Sequence, residues 1–293
     1  MFILIRRLAA SRWIAFAAAT LFALHPVHME SVAWVSGVTD PLMAIFLVGS
    51  FLSYLSFREE LRGGWMALAL TLFALGLLEK ETIVVLGPLV FVYAWLYAKE
   101  QSWSIRITCA LKHSLLFFGV TILYLMLRAH ILHGLSHSVT PLSWLSMALT
   151  EPSIVWLYFR HLLIPFGLSG LYGLPYVTEL NSAAFLVPTV LLLMVILLVV
   201  WCVSRLHDAQ LALFACCWII LPIIPALFLR AYAEGDIAHD RYLYIPSIGF
   251  VLLVSLFVAE IARRWPPIQR KLQPGVLVVV AVVYAVATLT QQT

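Results

Sequence analysis

The sequence predicts an all-α, polytopic transmembrane helical protein. Its 293 residues are 63% hydrophobic and only 11% charged, whereas a soluble domain is about half apolar and about a quarter charged. The apolar residues fall into nine runs, each near the roughly 20 residues that cross a bilayer, or fewer where protein shelters the helix ends. The basic residues also divide unequally between the two ends of those runs, as membrane insertion requires.

The spans read, in order, 9–25, 41–57, 65–79, 82–98, 113–129, 184–203, 210–229, 243–262 and 275–291. The first ends where Pro26 biases His25 away from helix. The third and fourth are separate spans because Glu79, Lys80 and Glu81 are adjacent, and no single span tolerates three neighbouring charges. Between the fifth and sixth, Glu151–Tyr172 is apolar but interrupted by Arg160, His161, Pro165 and glycines. It reads as an interfacial or re-entrant helix in a long outward segment. The opening MFILIRR is too short for a signal-peptide core.

Alternating the spans places 13 of the 18 Lys and Arg on one side, which is therefore cytoplasmic. On the other side lie Lys80, Arg128, Arg160, Arg230 and Arg241, with 9 of the 14 acidic residues and 7 of the 9 His. The groups suited to proton or phosphate chemistry thus gather on the extracytoplasmic face. A formal charge of +4 without a clustered basic stripe argues against nucleic acid. Cys109, Cys202, Cys216 and Cys217 have no metal-ligand spacing and read as bystander thiols.

Four outward clusters carry the chemistry. In HPVHMES, His25, His28 and Glu30 would project from a turn at the membrane surface. They suit a metal, acid–base work or a phosphate or sugar, or a turn that merely caps helices. In SGVTDP, Asp40 precedes Pro41 at a helix start, where it would cap the helix or join Glu30 in an acidic pocket. Lys80, in LEKET, is exceptional on this face and is expected to pair with a neighbouring carboxylate, or to hold an anionic substrate group. In AEGDIAHDRYLYIPSIGF, Asp236, His239, Asp240, Arg241, Tyr242 and Tyr244 crowd one span end. Snorkelling and an aromatic belt account for the tyrosines, but not for two Asp and a His beside an Arg suited to phosphate. A fifth group, His130, His133 and His137, has helical spacing for a metal, broken by Gly134.

FALHPVHMESVAWVSGVTD, EKETIVVLGPLVFVY and DRYLYIPSIGFVLLV, in that order and at outward span ends, resemble the membrane half of the transmembrane and tetratricopeptide-repeat O-mannosyltransferases and their bacterial relatives. Those enzymes belong to glycosyltransferase superfamily C. The resemblance implies transfer of a sugar, mannose among them, from a polyprenyl- or dolichyl-phosphate carrier to a protein or glycan hydroxyl on the extracytoplasmic face. No metal or cofactor is implied. Carried over by motif, His25, His28, Lys80, Glu81, Asp240, Arg241 and Tyr242 are expected to bind substrate, with Asp40 and Glu30 as candidate catalytic carboxylates.

Against the family pattern, 1–293 reads as a single transmembrane domain that lacks the first span, the first outward loop with its acidic residue, and the C-terminal repeats. MFILIRRLAASRW resembles the tail of the family's second span and its cytoplasmic turn. The expected protein is integral to a bacterial plasma membrane, or to the endoplasmic reticulum if eukaryotic. The competing readings are a non-catalytic scaffold or remnant, and a transporter or flippase. Alternating access uses ionisable groups near mid-span, and here they sit at span ends.

Overall fold

The computed structural model describes residues 1–99, 102–132, 142–232 and 235–265, then 275, 278–280 and 282–288. Among the described residues there is no strand, and the chain is a succession of helices. They are α1 (Phe2–Ala9), α2 (Arg12–Leu24), α3 (Met29–Ala33), α4 (Thr39–Glu60), α5 (Gly63–Glu79), α6 (Leu86–Leu96), α7 (Trp103–Leu132), α8 (Trp144–Leu163), α9 (Ala183–Val203), α10 (Ala209–Ile220) and α11 (Pro246–Arg264). Five stretches are long and apolar enough to cross a membrane: α4, α7, α9, Ala209–Leu227 and α11. Shorter apolar helices are α2, α5, Glu81–Leu96 and Val278–Thr288. The chain forms two compact units, Met1–Ala33 with Ser138–Thr293, and Trp34–His137.

In the first unit, α1 ends at Ala10, whose φ of 52° reverses the chain. Ser11 then caps α2 by accepting the Ile14 N–H. α2 stops at His25, held extended before Pro26, as the sequence predicts. α11 is the core helix, packed on α2 and α10, with most of its side chains buried. Its close fit to α10 depends on Gly249: a Cβ there would sit 2.4 Å from the Ala215 carbonyl oxygen and 2.9 Å from the Ile219 nitrogen. Small residues let helices approach backbone to backbone in this way. α10 passes at Leu221 into a 3-10 helix that runs to Leu227, because Pro222 and Pro225 withhold the N–H groups an α-helix needs. α9 is apolar on every face and largely uncovered, as a helix that meets lipid should be.

α8 differs from the expected Glu151–Tyr172. It begins seven residues earlier, where Ser143 accepts the Ser146 N–H, and ends at Leu163 before Ile164 and Pro165. Residues 164–182 then form an irregular segment without helix. The Ser143 cap sets the start of α8 ahead of the mainly apolar Trp144–Thr150, and Pro165 forces the stop.

In the second unit, α4 packs on α5 and α6 on α7. Glu79–Glu81 is the turn between α5 and α6, as three adjacent charges require. Phe73 and Phe117 meet at 5.5 Å, with Tyr54 edge-on to Phe117. Gly76 admits Ile83, since a Cβ would lie 2.3 Å from its Cδ1. α7 begins ten residues before its apolar stretch. Arg106 there donates to the carbonyls of Trp95 and Leu96, satisfying the end of α6.

Candidate active site

In the first unit, Pro26–His28 forms a 3-10 turn that feeds α3, and a second 3-10 turn, Asp240–Leu243, leads into α11. The two turns and the C-terminal half of α8 pack together. This brings Glu30, from one end of the sequence, against Asp240, Arg241 and Tyr242 near the other.

His25 and His28 do not project from the turn; both are buried. His25 accepts the Val27 N–H at Nδ1 and donates from Nε2 to the Leu162 carbonyl at 3.1 Å. Both ring nitrogens therefore brace the turn, with the proton on Nε2. His28 lies 2.8 Å from the Ser247 hydroxyl, between the rings of Phe22 and Tyr244. Burial pushes its pKa down to about 3. The aromatic neighbours and the tight Pro26 bend account for this inward orientation, which composition alone does not show.

Asp240 is 3% exposed. Its Oδ1 accepts from His161 Nδ1 at 2.8 Å, and its Oδ2 accepts from the Tyr172 hydroxyl. Arg160 Nη2 donates to His161 Nε2 at 2.9 Å. Because arginine only donates, Nε2 must be the bare nitrogen, which places the proton on Nδ1, facing Asp240. The imidazole thus links Arg160 to the Asp240 carboxylate through two hydrogen bonds. Three positions earlier on α8, the Tyr158 hydroxyl accepts the His239 backbone N–H at 3.3 Å. Tyr158 and His161 share one face of the helix and together fix the strand-like approach to the second turn.

Glu30 engages that turn from the other side. Its Oε2 accepts the Arg241 N–H at 3.0 Å, and its Oε1 lies 3.6 Å from both Arg241 Nε and His239 Nδ1. Burial raises the Glu30 carboxyl above its ordinary range, against the opposing pull of the Arg241 N–H and charge. The Arg241 guanidinium lies over the Tyr242 ring at 5.5 Å and is about one-fifth exposed. Burial and the Arg241 charge lower His239, whose other nitrogen faces Asp236 at 3.3 Å.

The second unit holds the remaining sequence candidates. Lys80 Nζ lies 2.5 Å from Asp40 Oδ1, with both side chains largely buried. Lys80 does pair with a carboxylate, but with Asp40 of α4 rather than an adjacent Glu. Asp40 lies in the first turn of α4 without capping it, since Lys80 claims its carboxylate. Glu81 pairs with Arg128 at 3.3 Å, and Tyr124 supports the same guanidinium.

The sequence does not single out Tyr158, Arg160, His161 or Tyr172 as site residues. Arg160–His161 stood out only as a charged interruption of an apolar run, and the two tyrosines gave no signal. His133 and His137 lie outside the described residues. Among the described residues, no three His, Cys, Asp or Glu converge as metal ligands.

An all-α membrane protein with buried acid, imidazole and guanidinium groups gathered at helix ends is the class this structure defines. Over most of its length the chain is similar to proteins named protein O-mannosyl-transferases. It is 27% identical to human protein O-mannosyl-transferase TMTC3 over 81% of this chain and 29% of that protein. Against human TMTC4 it is 26% identical over 88% of this chain and 40% of that protein. A shorter match, 42% identical, links 27% of this chain to 9% of Drosophila melanogaster Tmtc2. The chain thus spans less than half the length of these relatives. No family model and no solved structure matches it.

Proposed function

We propose that the protein is a membrane glycosyltransferase that moves mannose from a polyprenyl-phosphate carrier to an acceptor hydroxyl of a protein or glycan on the extracytoplasmic face. The observation that carries this is the Glu30–Arg241 arrangement: a buried carboxylate of raised basicity beside a partly exposed guanidinium. It is supported by the names of the homologues. Transfer needs a base for the acceptor proton and a cation for the departing phosphate.

In this reading Arg241 binds the carrier phosphate through its forked donors. Tyr242 holds the guanidinium plane, and Asp240, anchored by His161 and Tyr172, fixes the turn that presents it. Glu30 takes the acceptor proton once the phosphate draws Arg241 away from it. Asp40, Lys80 and Glu81 are assigned to ion pairs of the second unit. His25 and His28 support the first turn.

The test uses the full chain in lipid nanodiscs with radiolabelled polyprenyl-phosphate mannose and an acceptor peptide. Transfer with release of polyprenyl phosphate is expected, and Arg241→Ala should weaken donor binding. No transfer by the unaltered chain, or unchanged donor binding by Arg241→Ala, would overturn the reading.

A further inference from the structure

His239 is a buried imidazole set between two carboxylates of very different exposure. Its Nδ1 faces Glu30 Oε1 at 3.6 Å, and its Nε2 faces Asp236 Oδ1 at 3.3 Å. The Glu30 side chain is 9% exposed and that of Asp236 is 45% exposed. Neither Glu30 Oε1 nor His239 Nδ1 has a hydrogen-bond partner, although both atoms are buried. Buried polar atoms left in this state call for an explanation, and here the two face one another. The Tyr158 hydroxyl holds the His239 backbone, the Tyr242 ring stands edge-on to the imidazole, and Arg241 is the nearby cation.

We infer that His239 is a proton relay, carrying the proton that Glu30 removes from the acceptor out to Asp236 and the extracytoplasmic water. The inference rests on the reading of Glu30 as the base. In the transfer step the acceptor O–H bond breaks and its proton goes to a Glu30 oxygen. The acceptor oxygen bonds to the anomeric carbon, and the bond to the carrier phosphate breaks with its electron pair leaving on the phosphate oxygen. Glu30 Oε1 then passes its proton to the bare Nδ1 of neutral His239, while the proton on Nε2 moves to Asp236 Oδ1 and on to water. Charge and protons balance: Glu30 returns to its ionised form, and His239, left with its proton on Nδ1, is reset for the next turnover by a ring flip that exchanges its two nitrogens. The 3.6 Å separation is longer than a hydrogen bond, and such contacts tighten when substrate is bound. A buried base otherwise has to release each proton past bound substrate.

The experiment compares the unaltered full chain with His239→Ala, Asp236→Asn and Glu30→Gln in nanodiscs. His239→Ala should lower kcat by about 100-fold with little change in donor KM, the scale of a lost proton transfer. Free imidazole should restore part of the rate, and Asp236→Asn should shift the pH profile of kcat. Full kcat in His239→Ala, or a loss that imidazole does not relieve at any pH, would overturn the relay while leaving Glu30 as base. Full activity in Glu30→Gln would overturn the base itself. A second readout needs no turnover: the imidazole nitrogen NMR shifts of His239 should titrate at lower pH in both Glu30→Gln and Asp236→Asn, because each removes a facing carboxylate. A titration unmoved by either substitution would contradict the relay.

Discussion

Glu30 holds Arg241 by two different parts of the residue: Oε2 accepts its backbone N–H at 3.0 Å, while Oε1 stands 3.6 Å from the guanidinium Nε. The main-chain bond fixes the turn, and the side-chain pair leaves the guanidinium about one-fifth exposed. The two contacts can therefore be separated by mutation. Arg241→Ala keeps the N–H and so the turn, but removes a charged contact worth about 1.5–3 kcal/mol. Donor affinity should fall by roughly ten- to a hundred-fold, with the melting temperature little changed, as titration of donor binding and thermal unfolding would show.

Asp240 depends on His161 in the same unit. His161→Ala leaves a buried carboxylate without its imidazole partner and removes the link to Arg160. Losing a buried hydrogen bond to a charged group costs about 1.5–3 kcal/mol, and thermal unfolding in detergent should register that loss. His161→Asn, which can still donate toward Asp240, should recover part of it.

The Asp40–Lys80 pair makes a parallel prediction for the second unit. Lys80→Met removes the cation paired with a carboxylate that is nearly fully buried and should destabilise the chain by about 3 kcal/mol. Adding Asp40→Leu removes the buried charge as well, and the double variant should be more stable than Lys80→Met alone. A double-mutant cycle of unfolding free energies checks the sign.

His28 sets a pH dependence. Its folded value is about 3 against an ordinary 6.5, so between these values the unfolded chain binds a proton that the fold excludes. Stability should be fully present above about pH 6.5 and fall as pH drops through that window, by as much as about 1.4 kcal/mol per pH unit for this group. His28→Phe should flatten that part of the stability curve measured by unfolding at successive pH values.

Gly249 tests the helix packing. Any side chain there meets the α10 backbone at 2.4 Å, and Gly249→Ala should cost about 1–3 kcal/mol by forcing α10 and α11 apart. Gly64, with nothing near its missing Cβ, is the matching control.

The fold was legible because a bilayer imposes simple rules. The turn at Glu79–Glu81 follows from three adjacent charges, and the end of α2 follows from Pro26. The end of α10 at Ile220, in contrast, was hidden inside a continuous apolar run, where hydropathy does not register the two prolines that change the helix type. In the candidate site, Glu30, Asp240 and Arg241 stand out in the sequence because charge at a span end is costly, and Tyr242 follows from its place in the same motif. His161 and Tyr172 were not, because their significance lies in reaching Asp240 across 79 and 68 residues. Lys80 was expected to have a carboxylate partner, yet only the packing of α4 on α5 explains why it is Asp40.

The most direct test of the account is mannose transfer by Glu30→Gln beside the unaltered full chain, with donor binding measured on the same samples. The account predicts transfer by the unaltered chain, and a kcat about 100-fold or more lower in Glu30→Gln with donor still bound. Transfer by Glu30→Gln at the unaltered rate would contradict it.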